Sequence, residues 1–565
     1  MNNFVMKLVE ANLLLISRKF LRRGKKMKLL IPSAKVVPEE LQNLGKLPAV
    51  IYPINGHTVF SYIYKQYSSV CDIEVLCYEN ADKVHSKLGK YKDVQLTDIP
   101  VLDDLAHTIY YGINDSSPLI IHFGDTIVLD NIYENRSDCF YYAIDYVSEK
   151  WTYFDLENGR LKEIYDKKPL TSAKREKLFV GVFYLSDAAG FKSCLEKAFA
   201  DRDESISAFY QALRIYSVIH PLEAIQTSKW FDIGHADKYY NTKLEVKARE
   251  FNYIEIDKNR GILTKYSDDK DKFTGEIKWY LKLPSDIEYI RPRIFNYSLD
   301  YNKPYVSMEY YAYHTVHELF LNGDLDIHKW EMIFDRIRFI CCDMKRYKVE
   351  DENILPSLED MYLKKTLQRL DKLKTAENFV TFFNKPVCVN GCVYKSLNDV
   401  TEVLKRIIPE MLYDVKEFNI IHGDLCFANM MIDNNFSFIK VIDPRGKFGS
   451  FDIYGDPRYE LAKLFHSVDG KYDYIIKDLF DLDYRDENIN FTIKDKDRDF
   501  DLYQVFIEIF KDEIGEDLKK IELIEALLFL SMIPLHGESY DHQLVMLGTG
   551  LQILNRVVNI KAEGK

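Results

Sequence analysis

The chain has 565 residues and a formal net charge of −12, from 76 basic and 88 acidic side chains. That length has room for about three to four domain-sized units, and a hydrophobic share of 47% can fill large cores. The negative balance offers no overall positive field to a phosphate backbone, which argues against a general nucleic-acid binder. Nine cysteines are scattered without paired C-x-x-C sets. That odd, dispersed count fits free thiols in a reducing, cytoplasmic compartment. Cys388 and Cys392 stand four apart, but no further zinc ligands at suitable spacing are evident. No stretch reaches the ~18 apolar residues needed to span a bilayer.

Residues 1–26 read as a basic N-terminal extension. Phe4 to Phe20 has helical apolar spacing, and the basic run Arg18 to Lys26 follows it, the wrong order for a cleaved secretory signal. Three readings are open: a helix on a membrane surface, a helix packed on the body, or a start placed upstream of a domain that opens at Met27. From Met27 to about Lys243, β-rich runs alternate with helical patterns, as in an α/β layer fold. Strands are expected at Lys28–Ile31, Ile73–Cys77, Leu119–Phe123, Tyr141–Val147 and Phe179–Leu185, and amphipathic helices at Val59–Tyr67 and Asp104–Ile113. From Leu244 the texture changes. Phe251–Ile256, a turn at Asp257–Gly261 and Ile262–Tyr266 predict a β-hairpin, followed by a helix containing Glu276 to Lys282. Tyr305–Tyr311 reads as an aromatic strand. Beyond Tyr310 the pattern is mostly helical to the end, apart from a loop-rich region at 419–456. The domains are therefore drawn as 27–243 and 244–565.

The most informative segment runs His422-Gly-Asp-Leu-Cys-Phe-Ala-Asn429, then Val441-Ile-Asp443-Pro-Arg-Gly446. Asp424 and Asn429 stand at the two ends of a short loop, and Asp443 follows a β-rich stretch, Phe436 to Ile442. Phosphoryl transfer from ATP needs this set: a carboxylate to orient and deprotonate the accepting hydroxyl, and hard oxygen ligands for Mg²⁺. Upstream, Lys265 lies on the second hairpin strand, where a lysine can pair with ATP phosphates. Glu276, on the next helix, can hold that lysine in an ion pair.

The joint pattern H-G-D-x-x-x-x-N followed by I-D resembles the catalytic and metal loops of the aminoglycoside phosphotransferase and choline kinase family, over Leu244–Lys565. The resemblance implies an α+β bilobal protein-kinase-like domain with ATP in its cleft, a small lobe at 244–310 and a large lobe at 311–565. It implies that Asp424 is the general base and that Asn429 and Asp443 are Mg²⁺ ligands. Lys265 and Glu276 would serve the nucleotide phosphates, and Met308 and Glu309 would meet the adenine at a hinge. His422 would brace the loop, and Asp456 would be a structural acid ahead of its helix. I-D-P-R-G stands where a protein kinase carries D-F-G, and the turn at 257–261 has a single glycine, so the acceptor is expected to be a small hydroxylated molecule.

In the first half, Pro53–Val59, Ile121–Thr126, Lys167–Pro169 and Trp230–Gly234 resemble, in order and spacing, pieces of sugar-1-phosphate and phosphocholine nucleotidyltransferases. That resemblance implies an α/β nucleotidyltransferase-like (Rossmann-like) domain using CTP or another NTP. Asp125 and Asp232 would hold Mg²⁺, and Lys168 would contact a substrate phosphate. The chain departs from the pattern at the nucleotide loop. Ile31–Pro38 has no glycine, Ala49 stands where a lysine is expected, and Val101–Ala106 lacks a base-recognition glycine. Backbone N–H groups could not approach a triphosphate closely past such side chains; Lys35 or Lys46 could replace one missing cation. The reading is an ATP- and Mg²⁺-dependent kinase for a hydroxylated or phosphorylated metabolite, fused to a nucleotidyltransferase-like domain, in surface-polysaccharide or head-group precursor synthesis. Two alternatives are open: a true bifunctional enzyme making an NDP-activated sugar or amino alcohol, and a first domain that only binds or scaffolds, for instance in a homo-oligomer.

Overall fold

The computed structural model describes residues 27–54, 56–114, 118–130, 137–146, 151–168, 174–227, 229–235, 238–239, 242, 252–257, 259–485, 487–495 and 498–562. The basic extension at 1–26 and the boundary expected at 243/244 lie outside the described residues. The chain falls into two units, Met1–Ala248 and Arg249–Lys565. Among the described residues no helix is long and apolar enough to cross a membrane.

The first unit is built on a nine-stranded mixed sheet. Its parallel part runs Val94–Asp98, Cys71–Cys77, Met27–Ser33 and Leu119–His122. Such strands are covered on both faces and read as continuous apolar runs; Leu29, Leu30 and Ile31 are fully buried. Next to Leu119–His122 the long strand Arg175–Leu185 pairs antiparallel, and the remaining strands extend from it. Helix Leu105–Gly112 lies close on the sheet, where a Cβ on Gly112 would come 2.5 Å from Leu30. Phe140, Phe154, Phe179, Phe183, Phe191 and Phe209 pack together in its core. In open α/β sheets ligands bind beyond the carboxyl ends of the strands. Asp125 follows the carboxyl end of Leu119–His122, and Gly124 is wedged there against the Pro32 carbonyl.

The sequence pattern missed the hairpin Thr152–Glu157 and Arg160–Asp166, although its turn is Asn158-Gly159 with both residues at positive φ. That dipeptide is a strong hairpin signal.

The second unit opens with an antiparallel sheet in the order Asn252–Asp257, Ile262–Ser267, Tyr305–Glu309, Ile294–Ser298, with helix Lys270–Lys282 beside it. Its helical body includes Ile327–Lys345, Pro457–Val468, Leu518–Met532 and Tyr540–Val557. Two small sheets carry the functional loops: His314–Thr315 with Met430–Ile432 and Ile439–Val441, and Lys348–Val349 with Phe418–Ile420 and Tyr454–Gly455. One expectation needs correction. The chain beyond Tyr310 is not helical outside 419–456 alone, because Val387–Val389, Cys392–Tyr394, Phe480–Arg485 and Asn488–Ile493 form a four-stranded sheet. Its strand Phe-Asp-Leu-Asp-Tyr-Arg alternates half-buried apolar with exposed charged residues, the period of a half-buried strand, which the sequence reading passed over. Cys388 and Cys392 sit in this sheet as free thiols.

Asp456 caps helix Pro457–Val468 by accepting from the Arg458 N–H. Its buried carboxylate also takes the Arg458 guanidinium at 2.8–3.1 Å and the Tyr362 hydroxyl at 2.9 Å. Removing it leaves the buried Arg458 to the half-exposed Asp414, 2.9 Å away, and the Tyr362 hydroxyl without its acceptor. Asp456→Ala should therefore cost about 3–5 kcal/mol, read as a lower urea midpoint; a loss under about 1 kcal/mol would mean the pair behaves like an exposed one.

Candidate active site

The loop His422–Asn429 of the second unit is held by hydrogen bonds within the fold. After strand Phe418–Ile420 the chain turns at Gly423, whose φ is +76° and whose Cβ would lie 2.9 Å from that of Arg445. Glu460, from helix Pro457–Val468, accepts the His422 and Gly423 N–H groups at 2.9 and 2.8 Å. The buried His422 ring meets the Ile442 carbonyl through Nε2 at 3.0 Å, and burial pushes its pKa down to about 4, so it stays neutral. This contact ties the loop to the stretch that ends in Asp443.

Asn429 closes the loop. Its Nδ2 donates to the Asp424 carbonyl at 2.9 Å and to Asp424 Oδ2 at 3.1 Å, leaving its Oδ1 as the acceptor atom of the amide. Its own carbonyl accepts the Ile442 N–H at 2.9 Å, continuing the pairing of Met430–Ile432 with Ile439–Val441. The ladder thus brings Asn429 beside Asp443. Asp443 has a φ of +58°, and its N–H donates to the Tyr280 hydroxyl at 3.0 Å.

Lys265 and Glu276 form the expected pair, with Nζ at 2.8 Å from both carboxylate oxygens. The same ammonium also lies 2.8 Å from Asp443 Oδ1. Burial opposes the lysine charge, but Asp443 and Glu276 together more than offset it and hold the group above its usual range. On Glu276, burial and then the Asp443 charge dominate and push its pKa up to about 7. With all three ionised the cluster carries one excess negative charge. A carboxylate beside an amide oxygen is the hard-oxygen donor set that suits Mg²⁺, so Asp443 and Asn429 fit that ion.

Asp424 has a partner the sequence reading missed. Lys463 Nζ stands 2.8 Å from its Oδ1. Burial alone would raise the Asp424 pKa, but Lys463 outweighs it and holds the carboxyl well below the usual range. Lys463 lies three residues from Glu460 on one helix face, a spacing that signals side chains meeting one site. Asp424, Asp443, Arg445 and Lys463 line one cavity of about 1270 Å³. Met308 is buried opposite Leu263 in the sheet, and Glu309 lines a separate cavity of about 370 Å³ with Arg291, Tyr311 and Lys440. Neither is among the residues lining the larger cavity.

In the first unit, Trp230–Asp232 pairs antiparallel with Thr126–Val128, which sets Asp232 opposite Thr126 and next to Asp125. The Ile233 N–H donates to the Asp125 carbonyl at 2.8 Å. A Cβ on Gly234 would fall 2.9 Å from Asp125 Oδ2 and 3.5 Å from Asp232 Oδ1, so only a glycine leaves both carboxylates room. Burial, and then the Asp232 charge, push the Asp125 pKa up to about 6. His235 Nδ1 meets Asp232 at 2.7 Å. Two facing carboxylates fit a divalent cation. Lys168 is exposed beyond strand Arg160–Asp166, its ammonium 5.8 Å from the Tyr165 ring centroid. In the glycine-free loop, the Val36 N–H donates to Glu79 and the Val37 N–H to the Leu47 carbonyl, both at 2.9 Å. Two amides that a phosphate cradle would use are thus engaged within the fold.

No protein-family model matches this chain, and no curated protein matches its sequence. In structure, its N-terminal part is similar to CTP:phosphocholine cytidylyltransferase from Streptococcus pneumoniae, with 13% identity over 40% of this chain and 100% of that one and a TM-score of 0.32. A UDP-glucose pyrophosphorylase is similar at 15% identity over 39% of this chain and 98% of its own, with a TM-score of 0.33. A thermostable mutant of an aminoglycoside phosphotransferase is similar over 54% of this chain and 91% of its own, at 11% identity and a TM-score of 0.33.

The acid pair of the first unit makes a measurable prediction. In chelator, Asp125→Asn should raise the melting temperature by a few degrees, because the charge that burial and Asp232 disfavour is gone. Mg²⁺ should then raise the wild-type melting temperature more than that of the variant. An equal response of the two proteins to Mg²⁺ would remove Asp125 from any metal site.

Proposed function

We propose that the second unit is an ATP-dependent phosphotransferase acting on a hydroxyl of a small metabolite. One observation carries this reading: Lys265, Glu276 and Asp443 form a single buried ion cluster, and Asp443 shares a cavity wall with Asp424, to which Asn429 is tied. In this reading Lys265 faces the ATP phosphates, Glu276 keeps its ammonium in place, and the Met308–Glu309 strand end serves the adenine. Bound to Asp443 and Asn429, Mg²⁺ would neutralise charge on the β- and γ-phosphates. Asp424, kept ionised by Lys463, accepts a hydrogen bond from the acceptor hydroxyl and aims its oxygen at the γ-phosphorus. The new O–P bond forms as the bond to the β-phosphate oxygen breaks, ADP leaves, and the proton passes to Asp424. A carboxylate of such low basicity is above all an orienting group, taking the proton late.

We read the first unit as a domain that binds a phosphorylated metabolite through Asp125, Asp232 and a divalent cation, with Lys168 as a phosphate contact. The engaged Val36 and Val37 amides weigh against nucleotidyl transfer; the retained acid pair is the observation that favours it. A kinase joined to such a domain suits cytoplasmic synthesis of an activated sugar or head group for a surface polysaccharide.

The test is ATP consumption with Mg²⁺ and a panel of polyols, amino alcohols, sugars and their phosphates. Asp424→Ala should lower kcat by about 10²–10⁴ while the KM for ATP changes little, and Lys265→Met should raise the KM for ATP. Turnover that survives Asp424→Ala would sink the assigned base. Pyrophosphate release from CTP, UTP or GTP with a phosphorylated acceptor, lost in Asp125→Ala, would establish the bifunctional alternative.

A further inference from the structure

The cavity that holds Asp424 and Asp443 continues onto helix Lys365–Lys374 and the end of helix Leu518–Met532. There it is strongly basic. Lys365 and Arg369 lie one turn apart on one helix face, a like-charge spacing that disfavours the helix. Arg445 enters from the loop after Asp443 and is held by the Tyr459 hydroxyl at 3.0 Å. Arg369 reaches only the Ser531 hydroxyl, at 3.4 Å. Among the described residues, none of these three cations has a carboxylate within ion-pair distance; among the acids lining the same cavity, Asp424 is paired with Lys463, Asp443 with Lys265 and Asp452 with Lys282. The crowding is felt: burial, then Arg445, Arg369 and Lys463, push the Lys365 pKa down to about 6, so at neutral pH its full charge awaits an anion beside it. Half-buried cations without counter-charges are costly, and a pocket for a cationic alcohol would carry the opposite charge.

We propose that the acceptor is an anionic alcohol whose phosphate group is gripped by Lys365, Arg369 and Arg445 while its hydroxyl lies at Asp424. This rests on the phosphotransferase reading. A phosphate dianion matches three convergent donors, two of them guanidinium forks that can bind it bidentately. The pre-existing phosphate stays on the substrate. The new ester forms at its hydroxyl with ADP as leaving group.

Two measurements on the full chain test the proposal. In the first, inorganic phosphate is titrated calorimetrically in the presence of saturating ADP and Mg²⁺, which fill the nucleotide side. Phosphate should bind, and Arg369→Gln should weaken it about tenfold or more, with Arg369→Lys recovering part of the loss. No binding, or equal binding to Arg369→Gln, overturns the proposal whatever the activity of the chain. In the second, ATP consumption is compared for polyols and sugars and for their monophosphates. The phosphorylated set should have kcat/KM higher by about tenfold or more, and Arg369→Gln should raise the acceptor KM but not that for ATP. Faster turnover of neutral, cationic or carboxylated acceptors, or a raised KM for ATP instead, overturns it. Failure of ADP to bind at all, or of ATP to be consumed with any acceptor, defeats the phosphotransferase reading; the phosphate titration, repeated without nucleotide, then still decides the anion site.

Discussion

The Lys265 ammonium, held between Glu276 and Asp443, is the interaction on which the second unit's site depends. It joins three pieces of chain: a strand of the first sheet, the helix beside it, and the loop that follows Ile439–Val441. Without the ammonium, Glu276 and Asp443 would face each other as like charges, so the lysine holds both carboxylates in place. The backbone reinforces the junction. Gly446 has a φ of +63°, and a Cβ there would lie 2.1 Å from the Gly275 carbonyl group, so helix and loop touch main chain to main chain. The Tyr280 hydroxyl, one helical turn after Glu276, accepts the Asp443 N–H and fixes a residue already in the left-handed region.

Two aspartates that end β-strand segments meet opposite electrostatic fates. Asp424 is partly exposed at the cavity and held ionised, because Lys463 answers its charge directly and the loop carrying it is pinned by Glu460. Asp125 is half-buried and faces a second carboxylate, so its charge is disfavoured until a cation arrives. The first arrangement suits a group that must orient a neutral hydroxyl at neutral pH. The second suits a group that awaits a metal. The difference lies in one neighbour, a lysine in one case and an aspartate in the other.

How much of this was legible in the sequence follows from how local each constraint is. Asp424, Asn429 and Asp443 could be singled out because the loop chemistry packs its required side chains into a short stretch, and Lys265 and Glu276 because one strand and the next helix carry them. The contact between Lys265 and Asp443 could not, since 178 residues separate the pair. Lys463, Lys365 and Arg369 were invisible for another reason. Charged residues on helices normally face water, and only the tertiary position of their helices turns them inward. Phe480–Arg485 alternates apolar with charged residues and could have been read from that period, whereas apolar parallel strands such as Met27–Ser33 stood out because both faces are covered.

The glycine-free loop of the first unit shows how a missing residue type becomes a structural fact. Glycine would have let the backbone swing its amides outward toward a triphosphate. With Val36 and Val37 in the loop, those amides turn instead to Glu79 and to the Leu47 carbonyl, and the chain closes on itself. The sheet beneath loses nothing by this, and neither does the acid pair beyond Leu119–His122. On the reading proposed for this unit, these two engaged amides weigh against a triphosphate ligand, while the acid pair is retained. The cation-rich cavity of the second unit points to the same chemistry from the other side, since uncompensated arginine and lysine select an anion before any hydroxyl is considered. On the proposed readings, each unit would meet a phosphorylated small molecule by its own means, one through carboxylates that would take a metal and the other through cations.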